Sequence, residues 1–389
     1  MKCQKLILIS FCLVFNLSCK QSGKNDKIES KCVELLEGTK KIEILAENED
    51  LSHLISNDIE FILLESKPNC IIGNVSKIIL FDHCFFIYDN ISKSVFSYNF
   101  NGNFLQRFSK EGKGPGEYVH LKDININKFN NTLEIYDRGT QNILSFDLDG
   151  THKNTRKTFK FFDSFLSFGM DKYIFQVASD NPENKNFLVE KKGAITDEYF
   201  QTKGLDNVFI NNQITENNNS FFLTHGASNF IYTLKDEKIK QEYYIDFGKK
   251  NLPKEILNQQ EIGVNDFFKL VIKDYNIFIA NFYDEKDYLT FTYTNRKKIL
   301  WAIYDKRVQK AISGNIKVLG LNISPPIYKC DSIFYSIIDS NWIKEAAKNS
   351  KEDDLGIGKM IKQLATEIKA DDINPIILKY KLVKNITFN

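Results

Sequence analysis

The sequence predicts an all-β protein: a six-bladed β-propeller with a short C-terminal helical insertion before its closing strand. Three observations predict this fold. One unit of strands repeats at a constant offset, aromatic-rich strands recur along the rest of the chain, and one further strand at each end of the folded part can share a sheet. The 389 residues include 32 Phe and 17 Tyr but only 7 Pro, a composition that excludes a disordered chain and a coiled coil.

The repeat is clearest in the first half of the chain. Cys84–Asn103 aligns with Thr132–Thr151 at an offset of 48 residues and without a gap. Each unit consists of a strand, a polar link, a second strand and an Asn-Gly or Asp-Gly turn, dipeptides that accept positive φ at both central turn positions. A third strand follows the turn. Three or four short strands at a period of about 45 residues are typical of a propeller blade.

Six recurring strands predict one inner strand in each blade: Cys84–Tyr88, Leu133–Asp137, Tyr173–Val177, Phe221–His225, Leu289–Tyr293 and Ile333–Ile338. The fourth gap is the longest, and residues 264–283 within it fit an extra strand pair or a short helix. Strands at 59–64 and 375–383 flank the set and are expected to complete one shared blade, which hides sheet edges. Apolar spacing in the segment from about 342 to 370 predicts one or two helices, broken near Gly356 and Gly358.

The N-terminus predicts export. Residues 1–18 form a signal peptide in which Lys2 and Lys5 precede a twelve-residue apolar run, too short to span a bilayer. The following Ser18-Cys19 resembles a bacterial lipobox, although Asn16 departs from it, and the resemblance implies lipidation of Cys19. An ordinary secretory signal cut nearby is the alternative. We assign residues 19–50 to a tether and N-terminal segment and 51–389 to the propeller.

Charge and cysteine content argue against two classes of protein. The chain has 52 Lys and Arg against 50 Asp and Glu, and the signal peptide removes two lysines and no acids. The neutral mature chain argues against nucleic-acid binding, which usually needs a basic excess. No CxxC pair occurs among Cys32, Cys70, Cys84 and Cys330. The spacing of these cysteines therefore indicates neither a zinc site nor a redox pair. An oxidising compartment permits disulfides, but buried free thiols are expected in a core of this size.

A glycine-rich string, Gly112–Tyr118 (GKGPGEY), follows the third strand of the first unit. With residues 63–65, the two Tyr-Asp strands and Asn374-Pro375, it resembles the NHL-like, six-bladed β-propeller lipoprotein family of gut Bacteroidetes. The resemblance is strongest over residues 50–155. It implies a six-bladed ring on a lipid anchor in the outer membrane. It implies no established reaction, so no catalytic residue carries over.

The string has two interpretations. As a ligand loop, its glycines expose backbone amides, with Lys113 and Arg107 as cations and Glu117 as an acceptor. As a connector between blades, Glu117 bonds backbone amides and Tyr118 packs between sheets, the use that propellers require of such loops. The candidate ligand-loop residues are Arg107, Lys113, Gly114, Gly116, Glu117 and Tyr118.

Two aspartates, Asp89 and Asp137, occupy the same position in the two repeat units. A repeated residue is usually architectural, but an aspartate near the mouth of the channel could help to hold a metal ion, and Ca²⁺ is one conceivable ion. The five histidines are scattered without HExxH spacing, and no GxSxG or GxxxxGK[ST] string is present. The sequence therefore identifies neither a cofactor nor a catalytic residue.

The leading functional hypothesis is a non-catalytic, envelope-anchored binding module for a glycan, a peptide or an envelope protein partner. Such rings bind at loops whose geometry the strands fix. One alternative is a propeller-type lyase or hydrolase with a central metal site. The second alternative is a structural scaffold of an envelope complex, which would need a large apolar surface patch.

Overall fold

The computed structural model describes most of the chain from residue 35 onward. The described residues are 35–44, 46–158, 160–177, 185–201, 213–217, 220–257, 266, 269, 273, 275–296, 298–318, 321–349, 357–368 and 374–383. The predicted signal peptide, Cys19 and Cys32 lie outside them.

Strands dominate the described chain. Three short strands come first: β1 (Lys40–Glu43), β2 (Ala46–Asp50) and β3 (Glu60–Leu63), with a 3₁₀ turn at Leu51–Leu54. The first two sheets follow: β4 (Val75–Phe81), β5 (Cys84–Asp89), β6 (Ser94–Asn99) and β7 (Phe104–Phe108), then β8 (Leu121–Asn127), β9 (Thr132–Asp137), β10 (Asn142–Asp147) and β11 (His152–Lys157). The third and fourth sheets are β12 (Phe162–Gly169), β13 (Lys172–Val177), β14 (Lys185–Lys191) and β15 (Ala194–Gln201), then β16 (Ile214–Asn217), β17 (Ser220–Leu223), β18 (Phe230–Lys235) and β19 (Lys238–Asp246).

The last two sheets complete a six-bladed β-propeller. A 3₁₀ turn at Gly248–Lys250 and a short helix, α1 (Lys254–Leu257), precede the fifth sheet, which contains β20 (Asn276–Asp284), β21 (Tyr288–Asn295), β22 (Lys298–Asp305), β23 (Lys310–Val318) and the appended β24 (Leu321–Ile323). The sixth contains β25 (Tyr328–Cys330), β26 (Ile333–Ile338), β27 (Ile376–Lys381) and, from the other end of the chain, β3. We number these sheets as blades 1 to 6.

The first strand of each blade lies nearest the axis of the ring. β4 contacts β8, β8 contacts β12, β12 contacts β16, β16 contacts β20, and β25 contacts β4. The six strands predicted from aromatic content are therefore the second strands, β5, β9, β13, β17, β21 and β26, and not the inner ones. Their number was predicted correctly and their position was wrong.

The difference has a physical reason. A second strand has neighbouring blades on both faces, and all six residues of β9 are buried, so it is nearly continuously apolar. The inner strand of blade 2, β8, is less apolar because it carries polar side chains that bond to other blades. In β8, Asp123, Asn125 and Asn127 are buried and bonded to other blades. Its sequence consequently lacks the apolar run that marks a strand.

The Asn-Gly and Asp-Gly turns also differ from the prediction. Only the glycine of each pair has positive φ, +81° at Gly102 and +88° at Gly150. The Gly102 N–H donates to the Asn99 C=O at 2.9 Å. A Cβ at residue 102 would lie 2.0 Å from the carbonyl oxygen of Leu63. Only glycine at residue 102 therefore leaves room for the backbone of β3 beside the turn.

The ring closes where the two ends of the chain share blade 6. β3 pairs with β27 in one shared blade, as predicted, and the pairing is antiparallel with Leu63 opposite Ile376. Asn374, just before β27, fixes this junction. Its Oδ1 accepts the Ile72 N–H at 2.8 Å, and its Nδ2 lies 2.8 Å from the carbonyl oxygens of both Glu65 and Cys70.

The C-terminal helical insertion is confirmed. It consists of α2 (Ser340–Asn349) and α3 (Ile357–Glu367), between β26 and β27. Ile343 and Leu364 pack against Trp301 of blade 5 and Phe334 of blade 6. The expected break falls on residues 350–356, outside the described residues, and Gly358 belongs to α3. None of the described helices is long and apolar enough to cross a membrane.

We predict that Asn374→Ala destabilises the protein by about 3 kcal/mol, because it leaves the buried Ile72 N–H without an acceptor and removes the hydrogen bonds to the Glu65 and Cys70 carbonyl groups. Urea-induced unfolding measures the loss. Asn103→Ala, at an exposed turn position, is the control and should change the free energy of unfolding by less than about 0.5 kcal/mol. Equal losses in the two variants would contradict the role given to Asn374.

Candidate functional site

The repeated aspartates end the second strands of blades 1 and 2, where both are fully buried. Each carboxylate accepts N–H groups from the loop before the first strand and the turn after the second: for Asp89, Gly73 (3.0 Å), Asn74 (2.9 Å) and Ile91 (2.9 Å), and for Asp137, Val119 (3.0 Å), His120 (2.7 Å) and Gly139 (2.9 Å). Burial acts to raise the pKa of Asp137, but the Thr140 hydroxyl and these amides outweigh it and hold the pKa below its usual range. The contacts are those of an architectural aspartate.

The string Gly112–Tyr118 connects β7 to β8. The Glu117 N–H donates to the Gly114 C=O at 3.0 Å, and the Gly114 N–H donates to Glu117 Oε2 at 2.8 Å. The Glu117 carboxylate therefore closes the turn on itself, while Lys113 stays exposed. These are the contacts expected of a connector between blades.

Tyr118 ends the string between blades 1 and 2, and its side chain is buried. It packs with Phe86 and Phe108 of blade 1 and Leu121 of blade 2. Its hydroxyl donates to the Lys93 C=O at 2.7 Å. Burial raises the pKa of Tyr118 to about 12. This residue fixes the connector against the junction of the two blades.

Gly116 brings the connector against the outer strand of blade 2. Its φ is +75°, in the left-handed region, and a Cβ there would lie 2.8 Å from Cγ of His152 at the start of β11. Both the backbone conformation and the close contact therefore require glycine.

An open cleft of about 210 Å³ lies beside this connector, between the outer parts of blades 1 and 2. Blade 1 and the connector contribute Gln106, Arg107, Phe108, Ser109, Lys110 and Tyr118, and blade 2 contributes Phe146, Asp149 and Gly150. Gln106 Nε2 donates to the Leu148 C=O at 2.7 Å and joins the two blades along its edge.

Two cations and one carboxylate belong to this cleft. Lys110 Nζ lies 5.8 Å from the ring centroid of Phe146. Arg107 donates from Nε and Nη2 to Ser94 Oγ, at 3.0 and 2.9 Å. Neither cation has a carboxylate within ion-pair distance in the described part of the chain. The Asp149 carboxylate accepts the Thr151 N–H and hydroxyl, which hold its pKa below the usual range.

The structure brings together only part of the predicted ligand loop. Arg107 and Tyr118 line the cleft, whereas the other four predicted residues belong to the adjacent turn. Lys110 and Phe146 were not predicted. The repeat could have indicated both residues, because the turn before the outer strand of one unit must lie beside the outer strand of the preceding unit.

Polar side chains join the blades near the axis. Lys77 of blade 1 pairs with Asp123 of blade 2 at 2.9 Å, and Asp123 accepts the Ser164 hydroxyl of blade 3 at 2.8 Å. Further along, Lys128 of blade 2 pairs with Glu216 of blade 4 at 2.7 Å, although these blades are not neighbours. The charges near the axis are therefore used in contacts between blades.

The cysteines and possible metal ligands give no further site. Cys70, Cys84 and Cys330 are free thiols. Cys70 is buried as expected, whereas Cys330 is exposed. Among the residues that the structure describes, no group of three or more His, Cys, Asp or Glu side chains is placed to hold a metal ion.

Six blades of at least four strands, a closing blade shared by both ends of the chain and a cleft on the outer side of the ring define a six-bladed β-propeller with a peripheral cleft. The chain belongs to the family described as "Domain of unknown function (DUF4934)", whose model matches residues 39–381.

The fold is also seen in a solved structure. A protein described as a "putative exported protein" from Bacteroides fragilis is 18% identical, with a TM-score of 0.71 over 89% of this chain and 100% of that one. A member of the DUF4221 family from Bacteroides vulgatus is 9% identical, with a TM-score of 0.49 over 84% of this chain and 98% of that one. No curated protein matches the sequence.

We predict that Gly116→Ala destabilises the protein by about 3 kcal/mol, because alanine is strained at this φ and its Cβ contacts the His152 ring. The control is Gly38→Ala. Gly38 has a similar φ of +86°, but nothing lies within 4 Å of a Cβ there, so backbone strain alone should cost about 1 kcal/mol. Urea-induced unfolding measures both. Equal losses would show that the contact with His152 contributes nothing.

Proposed function

We propose that this chain is an exported β-propeller of the cell envelope, anchored in the outer membrane through a lipid on Cys19, and that it acts as a non-catalytic binding module for a glycan, a peptide or a protein partner. The signal-peptide pattern supports export, as does the description of the Bacteroides fragilis relative.

The observation that carries the proposal is the cleft between blades 1 and 2. Arg107 and Lys110 have no carboxylate partner among the described residues, and Phe108 and Phe146 line the cleft beside them. Cations of this kind attract anionic groups, and the buried rings of Phe108 and Phe146 make part of the cleft lining apolar. The ligand is therefore expected to carry negative charge.

The size of the cleft indicates a long ligand. Its volume of about 210 Å³ is below the range of about 300–1,000 Å³ that encloses a small molecule. It accommodates one group of a longer ligand, and the rest of that ligand extends over the outer surface of the ring. A glycan chain and a polypeptide both meet this description.

We predict that Cys19→Ala abolishes lipidation and membrane attachment, because the acyl chains supply the hydrophobic anchor. Metabolic labelling with a palmitate analogue and membrane fractionation measure the effect in the producing cell. Cys32→Ala should label and fractionate as the wild type does. Unchanged labelling of the Cys19→Ala protein would contradict the anchor.

We predict that Lys110→Ala weakens binding to an anionic ligand about tenfold, because a charge-assisted hydrogen bond contributes about 1.5 kcal/mol or more. Arrays of uronic-acid or sulfated glycans and of acidic peptides identify the ligand, and titration calorimetry measures its affinity. Lys113→Ala is the matched control, since it removes the same charge from the same connector outside the cleft.

The dependence on salt provides a second measurement. Affinity should fall as ionic strength rises, because exposed charges are screened. Equal affinity of the Lys110→Ala and Lys113→Ala proteins for every ligand found would place the binding site elsewhere. Failure of every glycan and peptide to bind would contradict a binding function for the cleft.

A further inference from the structure

The N-terminal strands cover the outer edges of three blades. β1 pairs in parallel with β19 of blade 4, and β2 pairs in parallel with β23 of blade 5. β3 then forms the outer strand of blade 6. The chain thus covers the outer edges of blades 4 and 5 by adding a strand of its own.

Charge pairs accompany each added strand. In blade 4, Lys40 pairs with Glu242 at 2.9 Å and Lys41 with Asp246 at 2.7 Å. In blade 5, Asp50 of the acidic strand β2 lies 3.1 Å from Lys317. Backbone pairing supplemented by complementary charge is therefore how this fold accepts an extra strand.

Blades 1 to 3 carry no added strand in the described part of the chain, and their outer strands differ. β11 is protected by exposed Lys153 and Lys157, and β15 by Asp197 and Glu198, charges of the kind that prevent edge-to-edge association. β7 (FLQRF) instead exposes Leu105 to 50% and borders the cleft. Of the three strands, β7 is the one with a large apolar side chain exposed to solvent.

The register shows which backbone groups this edge presents. The Asn99 N–H donates to the Asn103 C=O, so alternate residues of β6, Ser97 and Val95, also direct their backbone groups toward β7. Phe96 directs its backbone groups the other way, toward β5. Its partner Arg107 therefore presents both its N–H and its C=O at the open edge of β7.

We propose that β7 binds an extended acidic segment of a partner protein as a fifth strand of blade 1. The segment hydrogen-bonds the outward N–H and C=O of Arg107, places an acidic side chain near Arg107 and Lys110, and places an apolar side chain in the cleft. The inference rests on the proposed binding function and names its ligand. A strand edge favours a peptide over a glycan, because only a peptide backbone repeats donors and acceptors at the spacing of a strand.

The test begins with a displayed library of random peptides of roughly eight residues, about the length of an ordinary strand. The full-length protein is the bait, and enriched peptides are synthesised for affinity measurement. We expect enrichment of acidic residues alternating with apolar ones. Hydrogen exchange should show the Arg107 amide slowed about tenfold or more by the bound peptide.

Two variants at one position separate the backbone from the side chain. Arg107→Ala removes the guanidinium and keeps the N–H, and we expect about a fivefold loss of affinity. Arg107→Pro also removes the outward N–H but leaves the β6–β7 bonds, since proline is tolerated on an edge strand. We expect about a further tenfold loss. Thermal unfolding verifies that both variants fold.

A modified peptide tests the same point without altering the protein. N-methylation of alternate peptide amides removes donors and keeps every side chain, and we expect at least about a tenfold loss in one of the two methylation registers. Full affinity of both methylated peptides, together with equal affinity of the Arg107→Ala and Arg107→Pro proteins, would overturn strand addition.

Other outcomes separate this inference from the proposed function. A glycan that binds in a Lys110-dependent manner, with no peptide enriched, would overturn the fifth strand and support the binding module. Peptides that bind without slowing the Arg107 amide would likewise overturn it. Failure of both glycans and peptides to bind would overturn both proposals.

Discussion

The pairing of β3 with β27 is the interaction on which the other blade contacts depend. It joins residues more than 300 positions apart, and closing so long a loop costs about 5 kcal/mol in chain entropy. Without it, blade 6 would lose its outer strand and the sixth junction of the ring would be unsupported. The buried Ile376 and Leu378 and the amide of Asn374 offset that cost. Closure consequently relies on packing and polar bonds at one junction, and the cysteines that the structure describes are free thiols.

Much of this fold could be predicted from the sequence because a repeat of 48 residues implies a repeated sheet, and the two flanking strands imply closure. The position of the strands within each blade could not be predicted from the repeat. β8 (LKDININ) is polar because Asp123 and Asn125 bond to residues of other blades, and no local pattern shows where those partners lie. β1 and β2 were not predicted, for a related reason. Both strands are short and charged, and the strands that they pair with lie about two hundred residues or more away in the sequence.

The candidate site was only half predictable. The string Gly112–Tyr118 drew attention to the correct connector, and Tyr118 has the packing that an aromatic at its end suggests. The cleft beside it depends on how blade 2 packs against blade 1, because Phe146 comes from the next repeat unit. Glu117 follows the connector interpretation and not the ligand-loop interpretation, since its carboxylate accepts a backbone N–H of the loop itself. The sequence shows which charged, polar and aromatic side chains a segment contains, whereas packing determines which of them are exposed.

The N-terminal strands have a mechanical consequence. Tension applied to the chain before Lys40 reaches β1 first, then β2, and only afterwards β3, so the three act in series. β1 and β2 are each held by a few residue pairs and by charge pairs at the surface, whereas β3 belongs to the sheet that closes the ring. A pull would therefore detach β1 and β2 first, and their residues would extend before the load reaches the sheet that closes the ring. The ring can therefore stay intact while the chain before it is under tension, because β1 and β2 detach before β3.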